Sequence, residues 1–341
     1  MIKPAPKNQD GKILLKEASA DAILIFTRFK DTPIGAFMQN GLLLRVFVKR
    51  EGLLKGTVCL GKISEIKEDI DSVFVILPGK EKGYVSFSEL AGDDKIKQPK
   101  CGNNILVYIK KEAAKGKLIT LGTNLPEEYD VFKEKAEHLT DYSVLKEGNN
   151  YIEEALSFAE TFSGRQNVSF RMITDDEKIF DRITGFRKEN NPEIKLYHDS
   201  QISLAAVYGL KSKIEEAFSK KVWLKSGGYL VIERTEAMMV IDVNSGKSHS
   251  KTASEDHFTE INREACTEII RQSALRNLSG ILIIDFINMK NPENRNEILR
   301  FLTENAMFND PDFHVVGMTK LGLTECTRKK TGKMLCEQLK V

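Results

Sequence analysis

Residues 227–247, GGYLVIERTEAMMVIDVNSGK, and residues 280–290, GILIIDFINMK, are two apolar strand-like runs that each carry an aspartate, Asp242 and Asp285. An ionised carboxylate in an apolar run is costly unless it is paired or binds a cation. Between the two runs the period changes. Thr252 to Glu255 fits a capping box, and Phe258, Ile261, Ala265 and Ile269 recur at helical spacing until Asn277 and Gly280 end the pattern. Strand, helix, strand in this order predicts a right-handed crossover with two parallel strands, placing both aspartates at the strands' carboxyl ends.

On neighbouring strands ~4.8 Å apart, the two carboxylates can share one ion, along the edge where open α/β sheets bind ligands. Asn244, two residues after Asp242, points to the same face and can orient the carboxylate or a bound water. This all-oxygen set favours Mg²⁺ or Mn²⁺ over zinc. The alternative for either aspartate alone is a helix cap or a pairing with a buried Lys or Arg.

The 341 residues suffice for two or three domains with their own cores, in a composition typical of soluble globular proteins. No apolar run approaches the ~18 residues of a membrane span, and the first residues, MIKPAPKNQDGK, lack a signal-peptide core, so a cytoplasmic location is expected. The five cysteines form no CxxC pair, which leaves neither a disulfide framework nor a four-thiolate zinc site. Net charge is +2, but between Lys95 and Lys117 seven lysines face one acid, Glu112, and Lys320, Arg328, Lys329, Lys330 and Lys333 form a second basic cluster. Such clusters are more often solvated faces, but nearness to a metal site shifts the balance toward phosphate.

Residues 21–50 read as a strand hairpin too small to be a domain and completed by later sequence. Residues 55–124 contain five short strand-like runs, as in a small OB-type barrel whose face stacks bases on aromatics beside basic residues. Phe74, Tyr84, Phe87 and Tyr108 are the available aromatics, at least two of them expected in the barrel core, with Lys111 and Lys115 beside them. Residues 125–163 read as helical, 167–173 as a strand carrying Arg171, and 313–318 as a buried strand, while His198 reads as structural. Asn291-Pro292 reads as a helix start. Gly246-Lys247-Ser248 imitates the end of a phosphate loop, but Ile241 stands where that motif needs glycine.

These residues resemble the ribonuclease E/G family of endoribonucleases. The resemblance runs in order through LYHD (196–199), YGL (208–210), WLKSGGYLVI (223–232), TEA (235–237), IDVNSGK (241–247), NREA (262–265), GILIIDFI (280–287) and KLGLTE (320–325), dense from about 196 to 333 and fainter before. It implies an α+β multidomain fold. An RNase H-like subdomain, split between 1–54 and 186–228, would carry an inserted S1 (OB) barrel at 55–124 and a 5′-sensor at 125–185. A DNase I-like α/β catalytic subdomain at 229–341 would follow.

The resemblance also implies that Asp242 and Asp285 bind catalytic Mg²⁺ with Asn244 in support, and that Phe74, Tyr84 and Lys115, with Lys111 nearby, grip single-stranded RNA. Lys247 and the basic cluster that includes Arg328 would neutralise phosphate charge. The expected reaction is attack of a metal-activated water on the phosphodiester, leaving a 5′-phosphate and a 3′-hydroxyl, in ribosomal RNA maturation or messenger decay. A non-catalytic RNA-binding or ribosome-associated module is the rival reading.

Three departures from the family pattern bear on function. Arg171-Met172 stands where the family's 5′-monophosphate pocket has Arg-Thr, so one phosphate-binding hydroxyl is missing. The zinc-linking Cys-x-x-Cys is absent, so no zinc is expected and any homo-oligomer would form without that link. Ile76 and Pro78 replace the usual aspartate and its neighbourhood in the barrel, altering the grip on RNA.

Overall fold

A near-continuous apolar run makes a strand that is buried on both faces, and residues 22–29 form such a strand, β1 (Ala22–Phe29), at the centre of a five-stranded sheet. The computed structural model describes residues 22–90, 99–113, 116–124, 129–139, 142–148, 150–185, 192–246 and 255–341. These fall into two compact units, one of residues up to 48 together with 155–341, the other of residues 49–154.

In the first unit β1 pairs antiparallel with β2 (Thr32–Gln39), which pairs with β3 (Leu42–Val48). Asn40-Gly41, at φ 49° and 77°, makes the tight turn whose twist suits such a hairpin. The hairpin is completed by β10 (Phe170–Thr174), parallel to β1, and by β11 (Ile194–Leu196), parallel to β10. The strand carrying Arg171 therefore belongs by contact to the same sheet as the N-terminal hairpin, with α4 (Glu177–Gly185) following it. One face of the sheet is aromatic: Phe37 meets Phe158 and Phe162 of α3 (Tyr151–Gln166) edge-on at 5.3 and 5.0 Å. The other face packs on α5 (Leu204–Val207), α6 (Leu210–Glu216) and the C-terminal α9 (Leu335–Leu339).

The second unit is a closed five-stranded barrel. β4 (Val58–Lys67) pairs with both β5 (Ser72–Ile76) and β7 (Asn104–Lys111), β5 with β6 (Lys82–Ser86), β6 in parallel with β8 (Ile119–Gly122), and β8 with β7. Alternate residues such as Val73, Val75, Val107 and Ile109 fill the interior, and the short α1 (Phe87–Leu90) adds Leu90. This is the barrel that five short strands with turn signals predict. The all-helical reading of 125–163 is corrected. Between α2 (Tyr129–Glu137) and α3 lies β9 (Val144–Lys146), a three-residue strand too short to show a period, which pairs with β4.

The remaining sheet of the first unit is mixed, in the order β12 (Lys221–Trp223), β13 (Tyr229–Arg234), β14 (Met238–Asn244), β15 (Gly280–Asp285), β17 (Thr324–Arg328), β16 (Phe313–Met318). β14 and β15 are its one parallel pair among the described strands, joined by α7 (Glu255–Arg276). Thr252 of the predicted capping box lies outside the described residues. α8 (Pro292–Asn309) starts where Asn291-Pro292 predicts, the Glu293 amide donating to Asn291 Oδ1 at 2.9 Å. Leu230, Ile232, Ile241, Val243, Leu282 and Ile284 bury one face of the sheet against α7 and α8. α7 also turns Leu275 into the core of the five-stranded sheet, and Arg271 Nη1 donates to the Leu43 carbonyl at 2.6 Å, which binds the two sheets together. β16 is not the buried strand expected: it is an edge strand with Phe313 inward and Val316 65% exposed. Among the described residues no helix is long and apolar enough to cross a membrane.

Candidate active site

β14 alternates as its sequence requires, with Ile241 and Val243 in the core and Asp242 and Asn244 on the opposite face. Asp285 ends β15 and stands directly opposite Asp242 in the parallel register. Neither aspartate caps a helix or pairs with a buried base among the described residues. Asn244 Nδ2 donates to Asp242 Oδ2 at 2.7 Å, fixing one oxygen of that carboxylate and leaving the other for a ligand. Partial burial, and then the negative charge of Asp242, hold the Asp285 carboxyl above its ordinary value.

Two carboxylates placed side by side on an accessible strand end can share a cation. Among the described residues no group of three or more His, Cys, Asp or Glu side chains is placed to cage a metal. Two carboxylates are what Mg²⁺ takes from a protein when waters and a substrate phosphate complete its shell, and Asn244 orients one of them. The donor set therefore fits that ion and does not fit structural zinc.

Several residues hold this edge in place. Asn262, fully buried on α7, donates from Nδ2 to the Ile287 carbonyl at 2.8 Å and accepts the Ile287 amide on Oδ1 at 3.0 Å, clamping the backbone just past Asp285. Glu264 accepts the Lys225 and Ser226 amides at 2.6 and 3.0 Å, fixing the turn between β12 and β13. In that turn Gly228 approaches the end of β14 so closely that a Cβ would lie 2.8 Å from the Asn244 carbonyl. The helical period assigns α7 its apolar stripe but not these roles. The available signal is Asn262 itself, a polar residue set between Ile261 and Ala265 on the buried stripe, where it must find partners.

The other predicted residues divide. Phe74 and Tyr84 face each other across β5 and β6, half-buried, with ring centroids 6.5 Å apart and Lys67 Nζ 5.4 Å from the Phe74 centroid. Phe87 packs against the barrel core and Tyr108 against Val58, Leu106 and Phe132, so two of the four aromatics serve packing. Lys111 is exposed at the end of β7, while Lys115 and Lys247 lie outside the described residues. Arg171 sits on β10 opposite Ile23, and Met172 beside it points the other way into the core, 3% exposed.

Arg328 must be corrected. It is not part of a phosphate-facing cluster. Its guanidinium is fully buried, with Nε donating to Asp310 Oδ2 at 2.6 Å and Nη1 to the Leu278 carbonyl at 2.8 Å and Asn277 Oδ1 at 3.1 Å. Strand alternation turns Thr324, Cys326 and Arg328 inward, and Asp310 neutralises the one charge among them. Lys320, Lys329, Lys330 and Lys333 remain exposed.

Comparison with known proteins places the chain in a family. The model of the ribonuclease E/G family matches residues 102–331. Ribonuclease G of Haemophilus influenzae is 29% identical over 88% of this chain and 78% of its own length. Ribonuclease G of Escherichia coli K12 is 37% identical over 47% of this chain, and ribonuclease E of Synechocystis is 31% identical over 63%. The last two alignments span 34% and 32% of those proteins. With the family model matching more than half of its length and a five-stranded barrel among its parts, the chain belongs to the ribonuclease E/G family.

Proposed function

We propose that this chain is a Mg²⁺-dependent endoribonuclease that hydrolyses single-stranded RNA, with Asp242 and Asp285 as metal ligands and Asn244 as the residue that fixes Asp242. The observation that carries the reading is the direct opposition of the two carboxylates on the solvent face of the sheet. When bound there, Mg²⁺ supplies charge neutralisation at the scissile phosphate and a water of lowered pKa. The Asn244 amide holds Asp242 in one orientation, so the carboxylate need not reorganise as substrate arrives. Asn262 keeps Asp285 opposite it through the backbone. Displacement at phosphorus breaks the bond to the 3′-oxygen, leaving a 3′-hydroxyl and a 5′-phosphate.

In this reading residues 55–124 are the S1-type RNA-binding part, with Phe74 and Tyr84 as the stacking surface and Lys111 and Lys115 as phosphate contacts, while Lys247, in the catalytic part, also neutralises phosphate charge. The five-stranded sheet is the RNase H-like part, and the sheet with the aspartates is the catalytic part. The deciding experiment is incubation of a 5′-labelled unstructured RNA with the protein in Mg²⁺, in Mn²⁺ and in EDTA. Internal cuts bearing 5′-phosphates in either metal and none in EDTA are expected. Binding without cuts under all three conditions would replace the reading by a non-catalytic RNA-binding module.

Two further results follow. Phe74→Ala should weaken binding of single-stranded RNA by ~1–3 kcal/mol, the worth of one stacked base, as measured by fluorescence anisotropy at fixed salt. Unchanged affinity would remove Phe74 from the RNA surface. Changing the RNA 5′ end from triphosphate to monophosphate should alter the cleavage rate by less than about tenfold, because Met172 carries no donor and is turned into the core on the face away from Arg171, so that the ~1.5–3 kcal/mol of a second hydrogen bond to a charged phosphate is missing. A larger acceleration would show that the pocket works without the hydroxyl.

A further inference from the structure

The face of the sheet that bears the aspartates continues beyond them toward β12. In the antiparallel register Asn244 lies opposite Tyr229, and Tyr229 lies opposite Trp223. Residues opposite one another in a ladder share a face, so Trp223, Tyr229, Asn244 and Asp242 all project from the side away from α7 and α8. Burial agrees: Leu230 and Ile232 are in the core, whereas Trp223 is 64% exposed, a costly position for the largest apolar side chain of the molecule.

The aromatic pair is ordered. The Trp223 and Tyr229 rings meet edge-to-face at 5.3 Å, and Lys221 Nζ lies 3.9 Å from the Trp223 centroid and 3.6 Å from that of Tyr229. Cation–π contact with both rings holds an ammonium group next to an open indole. With adjacent strands ~4.8 Å apart, Trp223 stands two strands, or ~10 Å, from Asn244, within reach of a nucleotide neighbouring one held at the aspartates.

We propose that Lys221, Trp223 and Tyr229 form a stacking subsite for a nucleobase of the RNA strand whose scissile phosphate lies at Asp242 and Asp285. An aromatic with an adjoining cation is what a single strand uses when bases stack and phosphates are neutralised without sequence readout. The site positions substrate and takes no part in bond breaking. The proposal rests on the nuclease reading for the identity of the strand and on the register of β12, β13 and β14 for the geometry.

Trp223 is the only tryptophan of the chain, so its fluorescence reports this site directly. Titration of the metal-free protein in EDTA with a short unstructured oligoadenylate should quench that emission saturably, with the same midpoint as the anisotropy of a labelled oligonucleotide. Trp223→Ala should raise KM for a short RNA roughly five- to a hundredfold with kcat little changed, and Trp223→Phe should restore most of the loss.

Anisotropy showing binding without quenching, or an unchanged KM in Trp223→Ala, would overturn the subsite. So would emission that changes with protein concentration and not with RNA, which would make this face a contact between copies of the chain. Quenching without cleavage in Mg²⁺ or Mn²⁺ would leave the stacking site standing and remove the nuclease reading. Cleavage without quenching would do the reverse.

Discussion

Asp242→Asn and Asp285→Asn should each lower the rate of RNA cleavage by at least about a thousandfold, ~4 kcal/mol or more of transition-state stabilisation, with affinity for RNA largely kept. An amide keeps the shape of the carboxylate but not the charge that holds a divalent ion. The folded state should not suffer. Burial and the neighbouring Asp242 charge raise the Asp285 carboxyl above its ordinary value, so in the metal-free protein the folded state favours the protonated form. Stability therefore falls as pH rises through the carboxylate range, because the unfolded chain ionises first. Replacing either aspartate by asparagine removes the repulsion, and at neutral pH without metal the melting temperature should stay level or rise.

Added Mg²⁺ should stabilise the parent protein by binding only its folded form and should stabilise neither variant. Thermal melts with and without Mg²⁺, run beside the cleavage assay, separate loss of the ion from loss of the fold. Full cleavage by either variant would sink the assignment. So would a variant that stays inactive while keeping the Mg²⁺-dependent stabilisation, since the ion would then bind elsewhere.

Arg328→Ala should destabilise the first unit by ~3–5 kcal/mol, because it strands the buried carboxylate of Asp310. The guanidinium also satisfies the Leu278 carbonyl and Asn277 Oδ1, which follow and end α7, so the loss extends to the entry of β15. Arg328→Lys should recover little, since one ammonium cannot replace a planar fork that reaches Asp310, Asn277 and Leu278 together. Combining Arg328→Met with Asp310→Asn should cost less than Arg328→Ala alone, because no unpaired charge stays buried. Urea unfolding of the four proteins tests this. A cost below ~1 kcal/mol together with a weaker salt dependence of RNA binding would return Arg328 to the phosphate-facing set.

Much of the site was legible from local pattern. The two-residue period of β14 puts Asp242 and Asn244 on one face whatever the rest of the chain does, and the helical run between the strands makes β14 and β15 parallel. The N-terminal hairpin and the five barrel strands are likewise announced by short apolar runs separated by turn residues. Local sequence does not show that Arg328 is buried, for a physical reason. Arginine is usually exposed, and composition groups it with Lys329 and Lys330, but strand alternation turns it inward and Asp310, eighteen residues earlier, is what makes that position tolerable. β9 is too short to show a period and exists because β4 offers it an edge.

Sequence alone determined which residues alternate, where helices begin and which two apolar strands carry an aspartate near their carboxyl ends, because these depend on neighbours a few positions away. Tertiary structure alone decided that Arg328 is buried, that Asn262 clamps the segment after Asp285, that β10 completes the N-terminal sheet and that Trp223 shares a face with the aspartates. Those outcomes depend on ladder register and on removal of side chains from water, which bring together residues that nothing in the local chain relates.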